Sequence, residues 1–395
     1  MKVLFSSEAL LGLPGYEITG IEDLRCLVRI SVRYLGEVVC VRCGSLDLRV
    51  KDRSYRHVRH EGCGPRRLEL CLETRKWFCR GCCRSFWQRF PGILPCKRAT
   101  EAFRRSVSLK HWDGISRSRL GHREGIGVAT VERWFLDYLR RKSKERWVEC
   151  PQVLGIDEHF FTRRQGYATT FCDLANHKVF DVVLGRSEAS LEGYLGRMKG
   201  KDRVSVVCMD LSCTYRALVK KHFPNARIVA DRFHVIRLVN HHFLNSWKLL
   251  DLQGSRSRGL VSLMRRHEWN LKSEEQAQRL SSYLAQHPAL EQIYRFKQRL
   301  VNLLLQKHCT AQQCRKLAGQ FLTAIRQLLD SKLAPLVALG ETLNSWQEEI
   351  ATMWRFTKNN GITEGFHNKM ETLARQAYGF RNFENYRLRV RVMCS

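Results

Sequence analysis

Between Pro151 and Trp247 the chain runs strand, strand, strand, helix, strand, helix, strand, helix. That order constrains its fold more than any other feature. VLGIDEHFF, ATTFCDLA and KVFDVVLG are β-rich runs separated by the polar turns RRQGY and ANH, which predicts an antiparallel meander. SEASLEGYLGRMKG reads as a helix, RVSVVCMD as a buried strand and LSCTYRALVKKHFP as a helix. ARIVAD follows as a strand and RFHVIRLVNHHFLNSW as a helix.

Three strands followed by α-β-α-β-α is the order of a ribonuclease-H-like α/β fold. Open sheets of this kind carry function at the carboxyl ends of their strands. Two of these strands hold notable acids. Asp157 lies inside VLGIDEHF and Asp210 closes VSVVCMD. An acid in such a place is costly unless paired, hydrogen-bonded or metal-bound. Neighbours on a strand face opposite sides, so at most one of Asp157 and Glu158 faces a site, and periodicity does not choose between them. Asp210 alone also fits a cap on the following helix.

Upstream, CVRC (Cys40, Cys43) and CRGC (Cys79, Cys82) form two C-x-x-C knuckles. Each can point two thiolates at one tetrahedral Zn²⁺, and two together make a closed structural site. The residues between them must form hairpins of their own, and the alternation in RRLELCLETRKWFC predicts a strand leading into the second knuckle. Cys83 could replace Cys82, but the register favours Cys82. His57, His60 and Cys63 have no partners at zinc spacing. The other cysteines, such as Cys172 and Cys208, read as small buried residues.

Residues 99–142 predict three helices: one ending near Gly114, a short one over Ser116–Arg123, and a longer one with Val128, Val131, Phe135, Tyr138 and Leu139 on one face. Thr130, Glu132 and Arg133 fall on the outer side. A short helix, a Gly-containing turn and a longer helix form a helix-turn-helix pattern, which makes Thr130 and Arg133 candidate DNA contacts. Between Cys40 and Arg98 there are 15 Lys/Arg against 5 Asp/Glu, a charge suited to a DNA backbone.

The whole chain has 395 residues and a formal net charge of +30, which calls for a polyanionic partner: nucleic acid first, an anionic membrane surface second. No run approaches about 18 apolar residues, so no membrane span is expected. The start, MKVLFSSEALLGL, reads as mature protein rather than a signal peptide. The expected location is therefore intracellular, with DNA or RNA as the partner.

The blocks VLGIDEHFFTRRQGYATTFCDLANHKVFDVVLGRS, VCMDLSCTYRALVKKHFPNARIVADRFHVIRLVN and NNGITEGFHNKMETLARQAYGFRNFENYRLRV resemble the three catalytic blocks of the ISL-three family of DDE-type insertion-sequence transposases. The resemblance covers nearly the whole chain, since family members also begin with a four-cysteine zinc module and a helix-turn-helix. It implies that Asp157, in a GIDE-like strand, is the first metal carboxylate rather than Glu158. It likewise implies that Asp210 is the second and Glu364 of TEGF the third. Asp231 and His234 match the family's Asp-x-x-His block as supporting residues. EGFHN departs from the usual EGFNN by placing His367 at the first asparagine. Three carboxylates within about 4 Å would repel by about 4 kcal/mol per pair at an effective dielectric near 20. The family's Mg²⁺ or Mn²⁺ ions would relieve this and activate an in-line phosphoryl transfer.

Asp210 and Glu364 are separated by a stretch from roughly 240 to 356 that reads as helical. SEEQAQRLSSYLAQH opens with a capping-box pattern at Ser273–Gln276. Leu290, Ile293, Tyr294, Lys297, Leu300, Val301 and Leu304 recur at helical spacing, as a core stripe does. GSRSRG, 254–259, reads as a flexible basic loop. In the tail, Arg375, Arg381, Arg387, Arg389 and Arg391 interleave with Tyr378, Phe380, Phe383 and Tyr386. That pattern fits either a nucleic-acid surface or a helix burying its aromatics.

The expected organisation is a zinc module over 1–98, a helix-turn-helix domain over 99–148, a catalytic core over 149–240, a helical insertion over 241–356 and the rest of the core over 357–395. The expected function is a transposase that binds double-stranded DNA at terminal inverted repeats, cleaves it and joins it to target DNA, as a homodimer or larger oligomer. A non-catalytic DNA-binding regulator and a structure-selective nuclease are the alternatives.

Overall fold

The computed structural model describes residues 7–144, 149–271, 273–356 and 361–394. The chain forms two compact units, Met1–Lys144 and Glu145–Ser395. The expected boundaries at 148 and 357 lie outside the described residues.

The first unit begins with α1 (Ser7–Leu11), followed by β1 (Tyr16–Leu24), β2 (Leu27–Tyr34), β3 (Leu48–Cys63), β4 (Arg66–Cys79) and β5 (Arg84–Trp87). The sheet runs β1-β2-β4-β3, with β5 also on β4. β3 and β4 form a long antiparallel hairpin, while β2 joins β4 in parallel. The alternation that predicts β4 sends Leu68, Leu70 and Leu72 into a core with Val28, Ile30, Val32 and Val58. Three helices follow: α2 (Glu101–Trp112), α3 (Arg117–Glu124) and α4 (Val128–Lys144). Thr100 and Ser116 cap α2 and α3 by accepting from Phe103 N and Arg119 N. Val131, Phe135 and Leu139 are buried as expected, but Val128 is 46% exposed. It is the first residue of its helix, and Cα–Cβ bonds tilt toward the helix N-terminus, so its side chain overhangs the end.

The second unit holds a mixed sheet. β6 (Val153–Thr162), β7 (Gly166–Asp173) and β8 (Lys178–Leu184) form the antiparallel meander. After α5 (Glu188–Arg197) come β9 (Val206–Met209), α6 (Cys213–His222), β10 (Arg227–Ala230) and α7 (Arg232–Leu250). β9 pairs in parallel with both β6 and β10, giving the order β10-β9-β6-β7-β8.

The helical excursion comprises α8 (Arg258–Arg265), α9 (Glu274–Ala285), α10 (Pro288–Leu305), α11 (Ala311–Leu329), α12 (Ala334–Ser345) and α13 (Gln347–Arg355). The chain then closes with α14 (Gly361–Gln376) and α15 (Phe383–Met393). The excursion packs in two places. Leu304, Phe321, Ile325, Leu343, Ile350 and Trp354 share the core of the sheet. Phe243, Trp247, Leu263, Leu280 and Leu290 build a second, smaller core. Buried Arg232 ties the start of α7 to the sheet-side helices by donating to the carbonyls of Leu304, Gln306 and Met353. Among the described residues no helix is long and apolar enough to cross a membrane.

One local expectation changes. The stretch 254–259 is not a loop throughout: Gly254–Arg256 is a 3₁₀ turn and Arg258 opens α8. Asp251 Oδ1 accepts from Gly254 N and Ser257 caps α8, so local side chains satisfy the backbone there. At Ser273 the expected cap on Gln276 N forms, and the Gln276 side chain also accepts from Arg266. A complete capping box stands at Thr310 and Gln313.

In α15, Phe383 and Tyr386 are buried, and Arg387 makes a bidentate pair with Asp181 of β8 at 2.8 Å on both arms. Of the two readings of the tail, α15 builds the helix that buries its aromatics, while Tyr378 before it is 88% exposed. Asp181 is 5% exposed, and removing Arg387 would leave this buried charge with the more distant Arg391, at 3.8 Å, and the Tyr194 hydroxyl. Arg387→Ala is therefore expected to destabilise this unit by about 3 kcal/mol, read by urea unfolding. A loss near zero would mean that the pair contributes nothing net.

Candidate active site and metal centres

The first centre is the four-cysteine cluster. Cys40 and Cys43 lie in the turn before β3, Cys79 ends β4 and Cys82 lies in the turn before β5. Pairing of Leu48 with Cys79 at the open end of the β3/β4 hairpin brings the two knuckles together. All four sulfurs lie within 4.8 Å of one another, with Cys40–Cys82 at 3.7 Å and Cys43–Cys79 at 3.5 Å. A tetrahedron with Zn–S near 2.3 Å has S···S edges of about 3.8 Å, so the donor set fits zinc. Cys83 is exposed and turned to the Arg80 carbonyl; His60 is engaged by Thr100 and the Leu11 carbonyl.

The second centre lies on the mixed sheet. Asp157 sits mid-β6 and is 7% exposed. Its Oδ1 accepts from Glu158 N at 2.8 Å. Asp210 follows the last residue of the neighbouring parallel strand β9, and Ser212, not Asp210, caps α6. Asp231 follows β10, caps α7 by accepting from Phe233 N, and is 2% exposed. His234, one turn into α7, places Nε2 3.0 Å from Asp210 Oδ1 and 3.6 Å from Asp231 Oδ2. Ligand atoms of Asp157, Asp210 and His234 all lie within 4.8 Å of one another.

These carboxylates are poorly compensated. Burial first, then the charges of Asp231 and Glu158, push Asp157 up to about 7 despite its backbone hydrogen bond. Burial and then Asp157, Asp231 and Glu158 push Asp210 up to about 8. Asp210 Oδ1 is buried without a hydrogen bond, because the His234 contact is not aligned as one. Burial, then Arg237, hold His234 down at about 4, and Arg237 donates to its Nδ1. That leaves the proton on Nε2, so His234 stands beside the carboxylates as a donor. Buried Asp157 and half-buried Asp210, whose Oδ1 has no hydrogen-bond partner, fit a hard divalent cation with oxygen ligands.

Glu158 faces the other way. It pairs with Arg186 at 3.1 Å, and its strand partner Thr169 hydrogen-bonds Tyr215 on that side. On the Asp157 side lies a group that sequence reading missed. His159 Nδ1 meets Thr170 Oγ1 at 2.9 Å and its Nε2 meets the Tyr386 hydroxyl at 2.8 Å. His367 Nε2 meets the same Thr170 Oγ1 at 3.3 Å, and its Nδ1 is 3.9 Å from Asp157 Oδ2. The i, i+2 spacing of Asp157 and His159 on a strand was the available signal. Glu364 belongs to α14, three residues before His367, and its side chain lies outside the described residues. In the first unit, exposed Arg133 donates to Thr130 Oγ1 at 3.3 Å on α4, while Glu132 pairs with Arg117.

The second unit is a mixed α/β unit with acids at the adjacent parallel strands β6 and β9, a donor set that could hold a hard divalent cation. Residues 154–390 match the ISL3-type family of DDE transposases, described simply as transposase, and the chain belongs to that family. It is also 24% identical over 401 residues to the transposase for insertion sequence element IS1001 of Bordetella parapertussis, across 97% of this chain and 96% of that one.

Proposed function

We propose that this transposase binds the inverted-repeat ends of an insertion sequence, cleaves DNA there and joins the freed 3′-hydroxyl to target DNA. The observation that carries this reading is the meeting of Asp157, Asp210 and His234 within 4.8 Å, where burial first and then nearby acids, Asp231 among them, raise both aspartates far above ordinary carboxylates. The strand order β10-β9-β6-β7-β8, with β6 central, supports a ribonuclease-H-like core. Asp157 and Asp210 are the proposed metal carboxylates, with Glu364 the third. Glu364 precedes His367 by three residues in one helix, a spacing that puts two residues on a shared face. Mg²⁺ or Mn²⁺ held there supplies Lewis-acid activation of the phosphodiester and of the attacking oxygen.

The chain's own groups do the rest. Asp231 and Arg232 hold the start of α7, so that His234 presents Nε2–H beside Asp210, where it can donate to a phosphate oxygen. Thr170, His159 and Tyr386 brace the wall of β6 next to Asp157. In the first unit, the cysteine cluster is proposed to hold structural zinc, α3 and α4 to act as a helix-turn-helix, and Thr130 and Arg133 to meet DNA. The division at 1–98, 99–148, 149–240, 241–356 and 357–395 remains the proposed domain plan. Two ends must be held at once, which calls for a homodimer or larger assembly.

The test is Mg²⁺-dependent nicking and strand joining on duplexes carrying the element's ends. Wild-type protein should cut and join. Glu158→Gln should stay within about twofold, because its side chain leaves the site on the opposite face of the strand. Tight end binding without any cutting would replace this reading with a non-catalytic DNA-binding regulator. Cutting without joining would make the protein a nuclease.

A further inference from the structure

A second charged recess lies in the first unit, away from the cysteine cluster. It occupies about 290 Å³ between the closed end of the β3/β4 hairpin and the α2 and α3 helices. Five cations line it, Arg59, Arg66, Arg67, Lys110 and Arg123, against two acids, Glu61 and Glu124. Lys110 is matched by Glu124 at 2.9 Å, and Arg66 by Asp23 at 2.7 Å. Among the described residues the other three arginines make no ion pair. Arg59 donates to the Glu124 carbonyl at 2.8 Å and Arg67 to the His122 carbonyl at 3.3 Å, both neutral acceptors. The Arg123 guanidinium makes no ion pair or hydrogen bond among the described residues.

The arrangement is built rather than incidental. Arg59 lies over the Phe103 ring at 5.6 Å, and its Nε is buried without a hydrogen-bond partner. Burial, then the charge of Arg67 beside it, hold Arg59 below the usual arginine range. Gly125 ends α3 at φ +64°, and a Cβ there would stand 2.4 Å from Arg67 Nη1, so only glycine lets the guanidinium close on the turn. The two carbonyls at the end of α3, which would otherwise repel an anion, are already occupied by Arg59 and Arg67. The recess holds several times a water's share of about 30 Å³. It borders the turn that leads into α4.

We infer that Arg59, Arg67 and Arg123 form a pocket for one backbone phosphate of duplex DNA, which sets the register of α4 on the duplex. This rests on the reading that the first unit binds DNA. Phosphate contacts of this kind position a protein and carry no sequence information. Each one also contributes about one unit to the slope of log affinity against log salt.

The test measures that slope by fluorescence anisotropy, using the full chain and a labelled duplex of arbitrary sequence. Arg123→Ala should lower the slope by about one unit, and Arg123→Lys should restore most of it. Arg25→Ala removes the same charge from an exposed turn of the same unit and should leave the slope unchanged. Arg67→Ala serves as a second variant, and zinc content and melting temperature report that each protein is folded. Equal slopes for Arg123→Ala and wild type, or an equal drop for Arg25→Ala, would overturn the pocket while leaving DNA binding intact. Absence of any duplex binding by wild type would overturn both.

Discussion

Asp210→Asn is expected to lose Mg²⁺-dependent end cleavage by on the order of 10³-fold, since metal activation supplies several kcal/mol to such a reaction. In chelator the same variant is expected to melt a few degrees above wild type, which corresponds to about 1 kcal/mol or more for a unit of this size. The opposed signs follow from one cause. Asp210 is half-buried: partial desolvation first, then the charges of Asp157, Asp231 and Glu158, act on it, with Arg237 the cation that offsets them. Folding therefore costs the ionised acid more than the neutral amide. Its pKa is raised in the fold from 3.8 to about 8, so the folded protein keeps a proton that the unfolded chain releases. The associated stability is present below pH about 4 and is lost as pH rises toward 8. The advantage of Asn over Asp should thus be small near pH 4 and largest at pH 8 in chelator. With Mg²⁺ the order should reverse, because only wild type gains from the ion. Equal melting at pH 8 in chelator, or equal stabilisation of both by Mg²⁺, would sink the assignment of Asp210 as a metal carboxylate. Glu364→Gln should share the loss of cleavage.

The second large effect concerns the cysteines. Cys79→Ser should lower bound zinc from about one per chain to nearly none and abolish DNA binding. A structural zinc contributes about 10–16 kcal/mol, as much as the whole stability of a typical domain, about 5–15 kcal/mol. Cys79 is fully buried at the end of β4, where it joins the hairpin to both knuckles, so its loss opens the sheet at that end. Proteolysis within residues 36–47 and 80–90 should then become fast. Cys83→Ser is the matched control and should keep its zinc, because Cys83 is exposed and lies outside the cluster. Full zinc content in Cys79→Ser would defeat the assignment.

Much of this was legible in the chain itself, for reasons of short range. β-rich runs set between polar turns placed β6, β7 and β8. The apolar spacing of α10 named its buried face, including Lys297, whose ammonium reaches the carbonyls of Met264 and Arg266 at the end of α8. The C-x-x-C register separated Cys82 from Cys83, because two ligands on one turn need that spacing. The acids at Asp157 and Asp210 stood out because apolar strands do not keep carboxylates without a reason. The choice of Asp157 over Glu158 came from family resemblance. In the structure the two side chains take opposite faces, Glu158 to Arg186 and Asp157 to the other acids.

What the sequence determined by itself was local: which segments are strands or helices, which of their faces are apolar, where hydroxyls cap helices, and which cysteines share a knuckle. These depend on residues within a turn or two of one another. The tertiary structure alone decided what meets across the chain. It gave Arg387 to Asp181 instead of to a nucleic acid, buried Phe383 and Tyr386, and joined His159, Thr170, His367 and Tyr386 beside Asp157. It also placed Arg59 and Arg67 of the hairpin against the end of α3. No local pattern encodes such meetings, because a side chain's partner is set by how whole sheets and helices pack, and arginines and aromatics serve a core edge or a polyanion equally well until that packing chooses between them.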